Sequence, residues 1–322
     1  LRVVHNNDAS TSLWNARNSR QLQVQSAPAD EHVVWDPKER LLATYSPTEP
    51  PEIRIVDSTN HDVHAMWKGE RGERIIGVAW SPNGTRLAVA KASGAHKQVE
   101  VWDVDHESRI STWTLQRLRD FTDDHLKNSA NRPLVWSPDG SRYAIGGAGE
   151  EGDDGIARFQ GHVYVVDAES GDQLLKHNHG GRGHRGTIQS LAWRPDSRAL
   201  VAGSGNGLVE VISVDSKQTI FRSRLLSTPI NAVAWSPDGR RIVTAAEDSS
   251  VKVLSADDGA DLLTFSLSDN AVSAVWSPDG KQLAAATAGG EIYVWDASRA
   301  YEFSPQGSRR GELAWAYFRS PM

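Results

Sequence analysis

The feature that most constrains the fold of this chain is a repeat of about 40 residues. Residues 232–265 show the complete unit: an apolar segment ends at Trp235, and Ser-Pro-Asp-Gly follows it. That tetrapeptide is typical of a reverse turn, because Pro fixes φ and Gly has no Cβ. The remainder reads as a hairpin and one further short strand. A sheet of four such strands cannot bury its own faces, so it needs copies of itself on either side.

Two independent series of landmarks show that the unit occurs seven times. The first series is a tryptophan at the end of each first strand, and the second series is the end of each third strand. Successive tryptophans are separated by 39 to 57 residues. The tryptophans are Trp35, Trp80, Trp136, Trp193, Trp235, Trp276 and Trp315, and the third strands end at residues 15, 57, 103, 167, 213, 255 and 296.

This pattern resembles the WD40-repeat family of β-propellers, and the resemblance covers essentially the whole chain. It rests on the repeat period, the W-SPDG turn and strand ends such as Val101-Trp102-Asp103. The resemblance implies an all-β, seven-bladed β-propeller of four-stranded antiparallel blades, forming a single domain over residues 1–322. The family's tetrad of His, Ser or Thr, Asp and Trp is incomplete in every repeat. We therefore expect apolar packing between blades, more than that polar network, to hold the ring together.

The two ends of the chain are complementary parts of one blade. Val3 aligns with Val243 and Trp14 with Leu254, so the chain opens in the second strand of a unit, whereas residues 311–317 have the pattern of a first strand. We expect residues 311–317 to form the innermost strand of the seventh blade and residues 1–25 to supply its other three strands. That closure would leave no open sheet edge.

Composition argues against several classes of function. The net charge is −6, with 35 Lys and Arg against 41 Asp and Glu, and no long basic run occurs, so we expect neither nucleic-acid nor membrane partners. The chain has no Cys, which excludes disulfides, thiolate metal sites and Cys nucleophiles. No signal peptide or long apolar run is visible. These features predict a cytoplasmic, monomeric propeller without cofactors, either alone or as part of a larger chain or complex.

The longest connections are expected to lie on one rim of the propeller. In an up-and-down meander, the second-to-third and fourth-to-first connections emerge on the same side. Every insertion belongs to those two kinds of connection. Because loops on a rigid scaffold concentrate binding residues, this rim is the predicted binding face. Its loops span residues 45–52, 91–98, 115–132, 146–160 and 177–186.

Charged and aromatic residues of these loops are the predicted partner contacts. The acidic stretch 150–154 and the basic stretch 182–185 either pair with each other or present alternating charge to a partner. Phe121 and Phe159 either anchor that partner or pack their loops onto the ring. The predicted contacts are Phe121, Asp123, Asp124, His125, Glu150, Glu151, Asp153, Asp154, Arg158, Phe159, Arg182, His184 and Arg185.

Two glycine-rich stretches match G-x-G-x-x-G, the pattern of dinucleotide loops. Residues 147–152 are acidic and precede no helix, so a flexible acidic loop is favoured over a phosphate site. Residues 181–186 carry favourable charge but lead into a strand, which leaves anion contact as an alternative to a solvated loop.

Metal and acid–base chemistry also have candidate residues. His177, His179 and His184 could bind a divalent metal through imidazole nitrogens, although their glycine-rich spacing fixes no geometry, and we expect no metal site. Residues 123–125 lack a neighbouring nucleophile or orienting group, so we expect no catalytic residues. The favoured function is a non-enzymatic scaffold, with a role in signalling, that binds a protein or peptide. The alternative is a propeller enzyme or a small-molecule or glycan-binding protein using acidic and His residues of the same face, with a bound metal.

Ring closure yields the first testable prediction. Deletion of residues 311–322 should expose both edges of the seventh blade and lower the melting temperature by about 5 °C or more. Differential scanning calorimetry of the intact and shortened chains measures this. An unchanged melting temperature would show that these residues do not close the ring.

Overall fold

A computed structural model of the chain describes residues 2–7, 10–15, 20–25, 32–38, 40–46, 50–60, 62–93, 96–115, 133–151, 158–179, 186–224 and 228–297. Within these ranges the chain forms β-strands and no helix, so no helix there could span a membrane. The strands pair into seven antiparallel sheets, which we number in chain order. Five sheets have four strands, and the first and last have three.

The first four sheets are formed by fifteen strands between Arg2 and His179. Sheet 1 contains β1 (Arg2–Asn7), β2 (Ser10–Asn15) and β3 (Arg20–Gln25). Sheet 2 contains β4 (His32–Trp35), β5 (Leu41–Ser46), β6 (Glu52–Asp57) and β7 (Val63–Lys68). Sheet 3 contains β8 (Arg74–Trp80), β9 (Arg86–Ser93), β10 (His96–Asp103) and β11 (Ser108–Leu115). Sheet 4 contains β12 (Leu134–Trp136), β13 (Arg142–Glu151), β14 (Arg158–Asp167) and β15 (Gln173–His179).

The other three sheets follow in the same manner. Sheet 5 contains β16 (Ile188–Trp193), β17 (Ala199–Ser204), β18 (Leu208–Ser213) and β19 (Thr219–Arg224). Sheet 6 contains β20 (Ile230–Trp235), β21 (Arg241–Ala246), β22 (Ser250–Ser255) and β23 (Asp261–Ser266). Sheet 7 contains β24 (Ala271–Trp276), β25 (Gln282–Thr287) and β26 (Ile292–Asp296).

In every sheet, each strand pairs with its neighbours in sequence. This confirms the predicted all-β fold of antiparallel meanders. Residues 311–317 lie outside the described ranges, so the closing strand and the complete ring of seven blades stay predictions.

The Ser-Pro-Asp-Gly turns form because their Ser and Asp side chains accept the backbone amides that follow the turn. In sheet 6 the Ser236 hydroxyl accepts the Arg241 amide at 2.9 Å, and the Asp238 carboxylate accepts the Arg240 amide at 3.0 Å. Gly239 has a φ of 68°, in the left-handed region that glycine tolerates without strain. The recurring motif therefore encodes a recurring turn, as the sequence predicts.

In sheets 3 to 6, the tryptophan at the end of the first strand ties its sheet to the sheet before it. The Trp80 indole N–H donates to the Val34 carbonyl at 3.0 Å, and the Trp136 indole N–H donates to the Ala79 carbonyl at 3.0 Å. In each case the acceptor directly precedes the tryptophan of the preceding sheet. The same bond joins Trp193 to Val135 at 3.1 Å and Trp235 to Ala192 at 3.1 Å.

The apolar core lies between successive sheets, and residue sizes are matched across it. A Cβ placed on Gly203 of β17 would lie 2.7 Å from Ile230 Cγ2 of the next sheet, so a large residue there requires a glycine opposite it. One sheet further on, Ala245 and Ala271 occupy the corresponding positions and are both fully buried. Interlocking apolar packing of this kind supports the expectation that it holds the sheets together.

Sheet 7 leaves one apolar face uncovered in the part of the chain that the structure describes. Val251 and Val253 of β22 are buried against sheet 7. The corresponding residues of sheet 7, Ile292 and Val294, are 51% and 46% exposed. A further sheet packed on this face would bury them, and the blade expected there from residues 1–25 and 311–317 stays a prediction.

Backbone hydrogen bonds place the connections on two opposite rims. On one rim, the Gly69 amide after β7 donates to the Pro51 carbonyl before β6 at 2.8 Å. On the other rim, the Val104 amide after β10 donates to the Thr85 carbonyl before β9 at 3.0 Å. In sheet 2 the end of the fourth strand therefore lies on the same rim as the start of the third strand, as antiparallel pairing predicts. We call the rim of Pro51 and Gly69 the elaborated rim and the opposite one the plain rim.

The predicted limits of the loops on the elaborated rim are partly wrong. Residues 146–151 and 158–160, predicted as loop, belong to β13 and β14, which stay paired as far as Glu151 and Arg158. The insertion lengthens a hairpin because an antiparallel ladder satisfies backbone groups that a loop would leave to water. The loops predicted at 45–52, 91–98, 115–132 and 177–186 also include strand residues at their ends, since β5 reaches Ser46, β6 begins at Glu52, β9 reaches Ser93, β10 begins at His96, β11 reaches Leu115 and β15 reaches His179.

Candidate functional site

Four of the predicted contact residues lie at the end of the long β13–β14 hairpin. Glu150 pairs with Phe159 in the ladder, and Glu151 pairs with Arg158. This pairing brings acidic and basic residues of the same sheet to one end of the hairpin on the elaborated rim. The predicted contacts Phe121, Asp123, Asp124, His125, Asp153, Asp154, Arg182, His184 and Arg185 lie outside the described residues.

Two histidines considered as metal ligands instead bind a buried carboxylate. Glu210 of β18 is fully buried, and His177 and His179 reach it from β15 of the preceding sheet. His177 Nε2 lies 3.0 Å from Glu210 Oε1, and His179 Nδ1 lies 3.0 Å from Glu210 Oε2. Arg222 Nη2 and the Thr219 hydroxyl also donate to Glu210 Oε1, at 2.7 and 2.6 Å. This network joins sheet 4 to sheet 5.

The hydrogen bonds of this network decide the charge state of Glu210. Burial alone would raise the pKa of a carboxyl group, because it penalises the charged form. The hydrogen bonds from His177 and Thr219, together with the close approach of the His179 ring, outweigh that effect and hold the pKa of Glu210 far below its ordinary value of about 4.5. Glu210 is therefore an ionised residue that stabilises the interface between two sheets. Among the described residues, no group of three or more His, Asp and Glu could hold a metal ion.

A second buried carboxylate lies at the corresponding place between sheets 2 and 3. Glu100 of β10 is 3% exposed. Its Oε2 accepts from Lys91 Nζ at 2.7 Å and from Trp102 Nε1 at 3.1 Å, and its Oε1 accepts from Arg109 Nη1 at 3.1 Å. Two cations of its own sheet thus neutralise this carboxylate.

Unlike Glu210, Glu100 borders an open groove of about 410 Å³. The groove lies between sheets 2 and 3 and reaches the elaborated rim at Pro51 and Gly69. Trp67 and Trp102, with ring centroids 5.4 Å apart, supply an aromatic wall. Charged and apolar surfaces thus meet in one cleft, a combination typical of binding sites.

Sequence reasoning missed both Glu100 and Glu210. Each interrupts an apolar third strand, in Val99-Glu100-Val101 and Val209-Glu210-Val211. A strand in a closely stacked array is buried on both faces, so a carboxylate inside it must have partners. That signal is present in the sequence, but it does not say which residues of the neighbouring sheet provide the partners.

Comparisons with known proteins agree with this architecture. A model described as WD domain, G-beta repeat matches residues 63–103, 218–255 and 259–296. A model of the anaphase-promoting complex subunit 4 WD40 domain matches residues 156–231. Together these matches span more than half of the chain. The chain belongs to the WD40-repeat family.

Individual relatives of this WD40 chain are distant. It is 26% identical to actin-interacting protein 1 of Drosophila melanogaster over 201 residues, which cover 58% of this chain and 30% of that protein. It is 29% identical to WD repeat-containing protein VIP3 of Arabidopsis thaliana over 155 residues, which cover 47% of this chain and 42% of that protein. The chain therefore spans less than half the length of these curated relatives.

A solved structure shows the same fold. A chain in the crystal structure of the mitotic checkpoint complex superposes with a TM-score of 0.69 at 18% sequence identity, covering 92% of this chain and 83% of that chain. At this identity the likeness concerns the fold alone. The WD40 relatives support a general role in protein interaction, because WD40-repeat proteins are generally scaffolds without enzymatic activity.

The Glu210 network yields a prediction about stability and pH. Because the folded-state pKa of Glu210 is lowered, its contribution to stability is present above a pH of about 4.5 and is lost as the pH falls below that value. At neutral pH, Glu210→Gln should reduce the free energy of unfolding by about 2 kcal/mol or more, since Arg222 loses its carboxylate.

Urea unfolding of both proteins between neutral and acidic pH measures this difference, with Glu247→Gln on the exposed surface as the control. The deficit of Glu210→Gln should shrink as the pH falls, whereas the control should match the unsubstituted protein throughout. A deficit that does not change with pH would contradict an ionised Glu210.

Proposed function

We propose that this WD40 chain is a non-enzymatic scaffold that binds a protein or peptide through its elaborated rim. The observation that carries the proposal is the asymmetry between the two rims. On the plain rim, the described turns are short and repeat with little change. On the elaborated rim, the β13–β14 ladder continues for five residue pairs beyond Gly146.

The hairpin is long enough to contact a partner beyond the surface of the ring. Five paired residues of antiparallel strand span about 16 Å. In sheet 6 the corresponding ladder ends at Ala245, paired with Val251, with no such extension. A paired hairpin also loses less conformational freedom on binding than a flexible loop would, which favours affinity.

The charges of the hairpin favour a partner that is recognised electrostatically. Glu150 and Glu151 lie on β13, and Asp153 and Asp154 follow them in the sequence, while Arg158 lies on β14. Alternating charge at a protruding end can orient a partner and speed its association. A cytoplasmic location and a role in signalling remain predictions from the sequence.

A comparison of two charge-matched variants tests this function. In the rim variant, Glu150, Glu151, Asp153 and Asp154 are changed to Ala. In the control variant, the same number of acidic residues is removed from the plain rim by changing Asp105, Glu169, Asp215 and Asp257 to Ala. Affinity capture from an extract of the source cells, followed by quantitative mass spectrometry, compares both with the unsubstituted chain.

Proteins bound through the elaborated rim should be depleted about tenfold or more with the rim variant, a loss of about 1.4 kcal/mol, and retained with the control. Since both variants change the net charge equally, a non-specific effect of charge would affect them alike. Equal capture by all three proteins would remove the charged hairpin from the proposed function.

A further inference from the structure

The groove between sheets 2 and 3 is an unfilled version of the His–Glu interface between sheets 4 and 5. A β-bulge recurs in each third strand and fixes which positions correspond. It follows Val101 in β10 and Val211 in β18, so Glu100 and Glu210, each one residue earlier, are equivalent.

The same bulge in the third strands of sheets 2 and 4 shows which residues correspond in the fourth strands, β7 and β15, which face these carboxylates. It follows Ile55 in β6 and Val165 in β14. Trp67 pairs with Ile53, and His177 pairs with Val163, each two residues before the bulge. Trp67 therefore stands in the place of His177.

Two residues further along, Gly69 lies opposite Pro51, and His179 pairs with Gly161. Gly69 therefore stands in the place of His179, and Pro51 stands in the place of Gly161. In the other interface, the Pro51 ring and the Glu73 carboxylate lie close to Gly69 in place of the first atoms of a histidine side chain, and the groove lined by Gly69 and Trp67 opens beside them.

The partners that the missing imidazole would need are present. His179 lies between Glu210 Oε2 and the Ser204 hydroxyl, which is 3.1 Å from its Nε2. Lys91 of β9 pairs with Ile75 of the first strand, and Ser204 of β17 pairs with Ile188 in the same way, so Lys91 is the equivalent of Ser204. The groove thus offers an acceptor, Glu100, and a donor, Lys91, in the places of Glu210 and Ser204.

The charged residues that line the groove balance, with Lys68, Lys91 and Arg109 against Glu70, Glu73 and Glu100, so its net charge does not favour a charged ligand. Because Glu100 already contacts Lys91 and Arg109, a full cation placed beside Glu100 would be repelled by both of them. The indole N–H of Trp67 is buried and has no hydrogen-bond acceptor among the described residues. A neutral imidazole both donates and accepts, whereas a guanidinium only donates.

We infer that this groove is a binding site for a histidine side chain of the partner protein. The inference rests on the proposed function, because it names the residue that anchors the partner beside the elaborated rim. The partner's histidine inserts next to Gly69 against Trp67, with Lys91 and Glu100 as its polar contacts, as His179 inserts between sheets 4 and 5.

Free side-chain analogues test the site without any protein partner. The probes are 4-methylimidazole, methylguanidinium and propionamide, at a pH of about 8.5, well above the ordinary imidazole pKa of about 6.5. The readout is the indole N–H resonance of Trp67 in 1H–15N NMR spectra, assigned by its loss in Trp67→Phe. We expect 4-methylimidazole to bind with a dissociation constant in the millimolar range, about fivefold or more tighter than either other probe.

A double variant that copies the filled interface provides the matched control. A Cβ on Gly69 would lie 2.6 Å from Pro51 Cγ and 2.9 Å from Glu73 Oε2. The Glu73 carboxylate is the end of a flexible side chain and can move, so Gly69→His requires only Pro51→Gly as well, which reproduces the Gly161 and His179 pair. The double variant should fold and lose probe binding, because its own imidazole occupies the groove, while Pro51→Gly alone should bind the probe.

Lys91→Met provides a second test that does not depend on the double variant folding. It removes the donor but keeps most of the aliphatic stem, and it should weaken 4-methylimidazole binding about tenfold, while the surface variant Lys281→Met should bind normally. Equal affinity for all three probes, or unchanged binding to Lys91→Met, would overturn the inference. Since no partner is involved, such a result leaves the capture experiment on the rim to decide the proposed function separately.

Discussion

The stacking of sheets 2 to 6 depends on a hydrogen bond that each of sheets 3 to 6 makes to the sheet before it. The indole N–H of a first-strand tryptophan reaches the carbonyl that precedes the equivalent tryptophan in the preceding sheet, at 3.0 Å for Trp80 and Trp136. A buried backbone carbonyl without a donor is costly, so the bond fixes the spacing between first strands as well as adding stability. This explains why tryptophan, the largest side chain with a single N–H donor, marks the repeat.

The outer strands complete the contact in a way that differs from one interface to the next. Equivalent positions of the fourth strands carry Trp67, Trp113, His177 and Phe265, and each reaches the third strand of the following sheet. Trp113 packs on Tyr164 with ring centroids 5.3 Å apart, and Phe265 stacks on Trp295 at 4.4 Å. His177 binds Glu210, whereas at Trp67 a groove remains open beside Glu100. The contacts between first strands are thus repeated, whereas the contacts of the fourth strands vary. Binding sites can therefore arise at the fourth strands.

Most of the fold could be predicted from the sequence because its signals are local. The Ser-Pro-Asp-Gly turns, the alternating strands and the spacing of Trp136 and Trp193 each report on neighbouring residues. The alternation of connections between two rims then follows from antiparallel pairing alone. The loop predicted at the end of β13 and β14 was wrong because its glycines and acidic residues are typical of loops, whereas ladder pairing with residues 158–163 overrides that local preference.

The site was less predictable, because it depends on which residues meet across an interface. His177 and His179 suggest a metal site by their proximity in sequence, but Glu210, 31 residues beyond His179, determines what they bind. The groove was not predicted because nothing in the sequence distinguishes Gly69, which lines it. The equivalence of Gly69 and His179 follows only from the strand registers. Such relations between distant strands become visible when the registers are known.

The measurement that tests this account most directly compares two tryptophans of equal burial. Trp136 and Trp276 are both 8% exposed, but Trp136 donates to the Ala79 carbonyl, whereas the buried Trp276 indole N–H has no acceptor among the described residues. Urea unfolding should show that Trp136→Phe costs about 1–3 kcal/mol more than Trp276→Phe, because only the first change leaves a buried carbonyl without its donor. Equal costs, or a larger cost at Trp276, would show that the bond between sheets is not the constraint on which the fold depends.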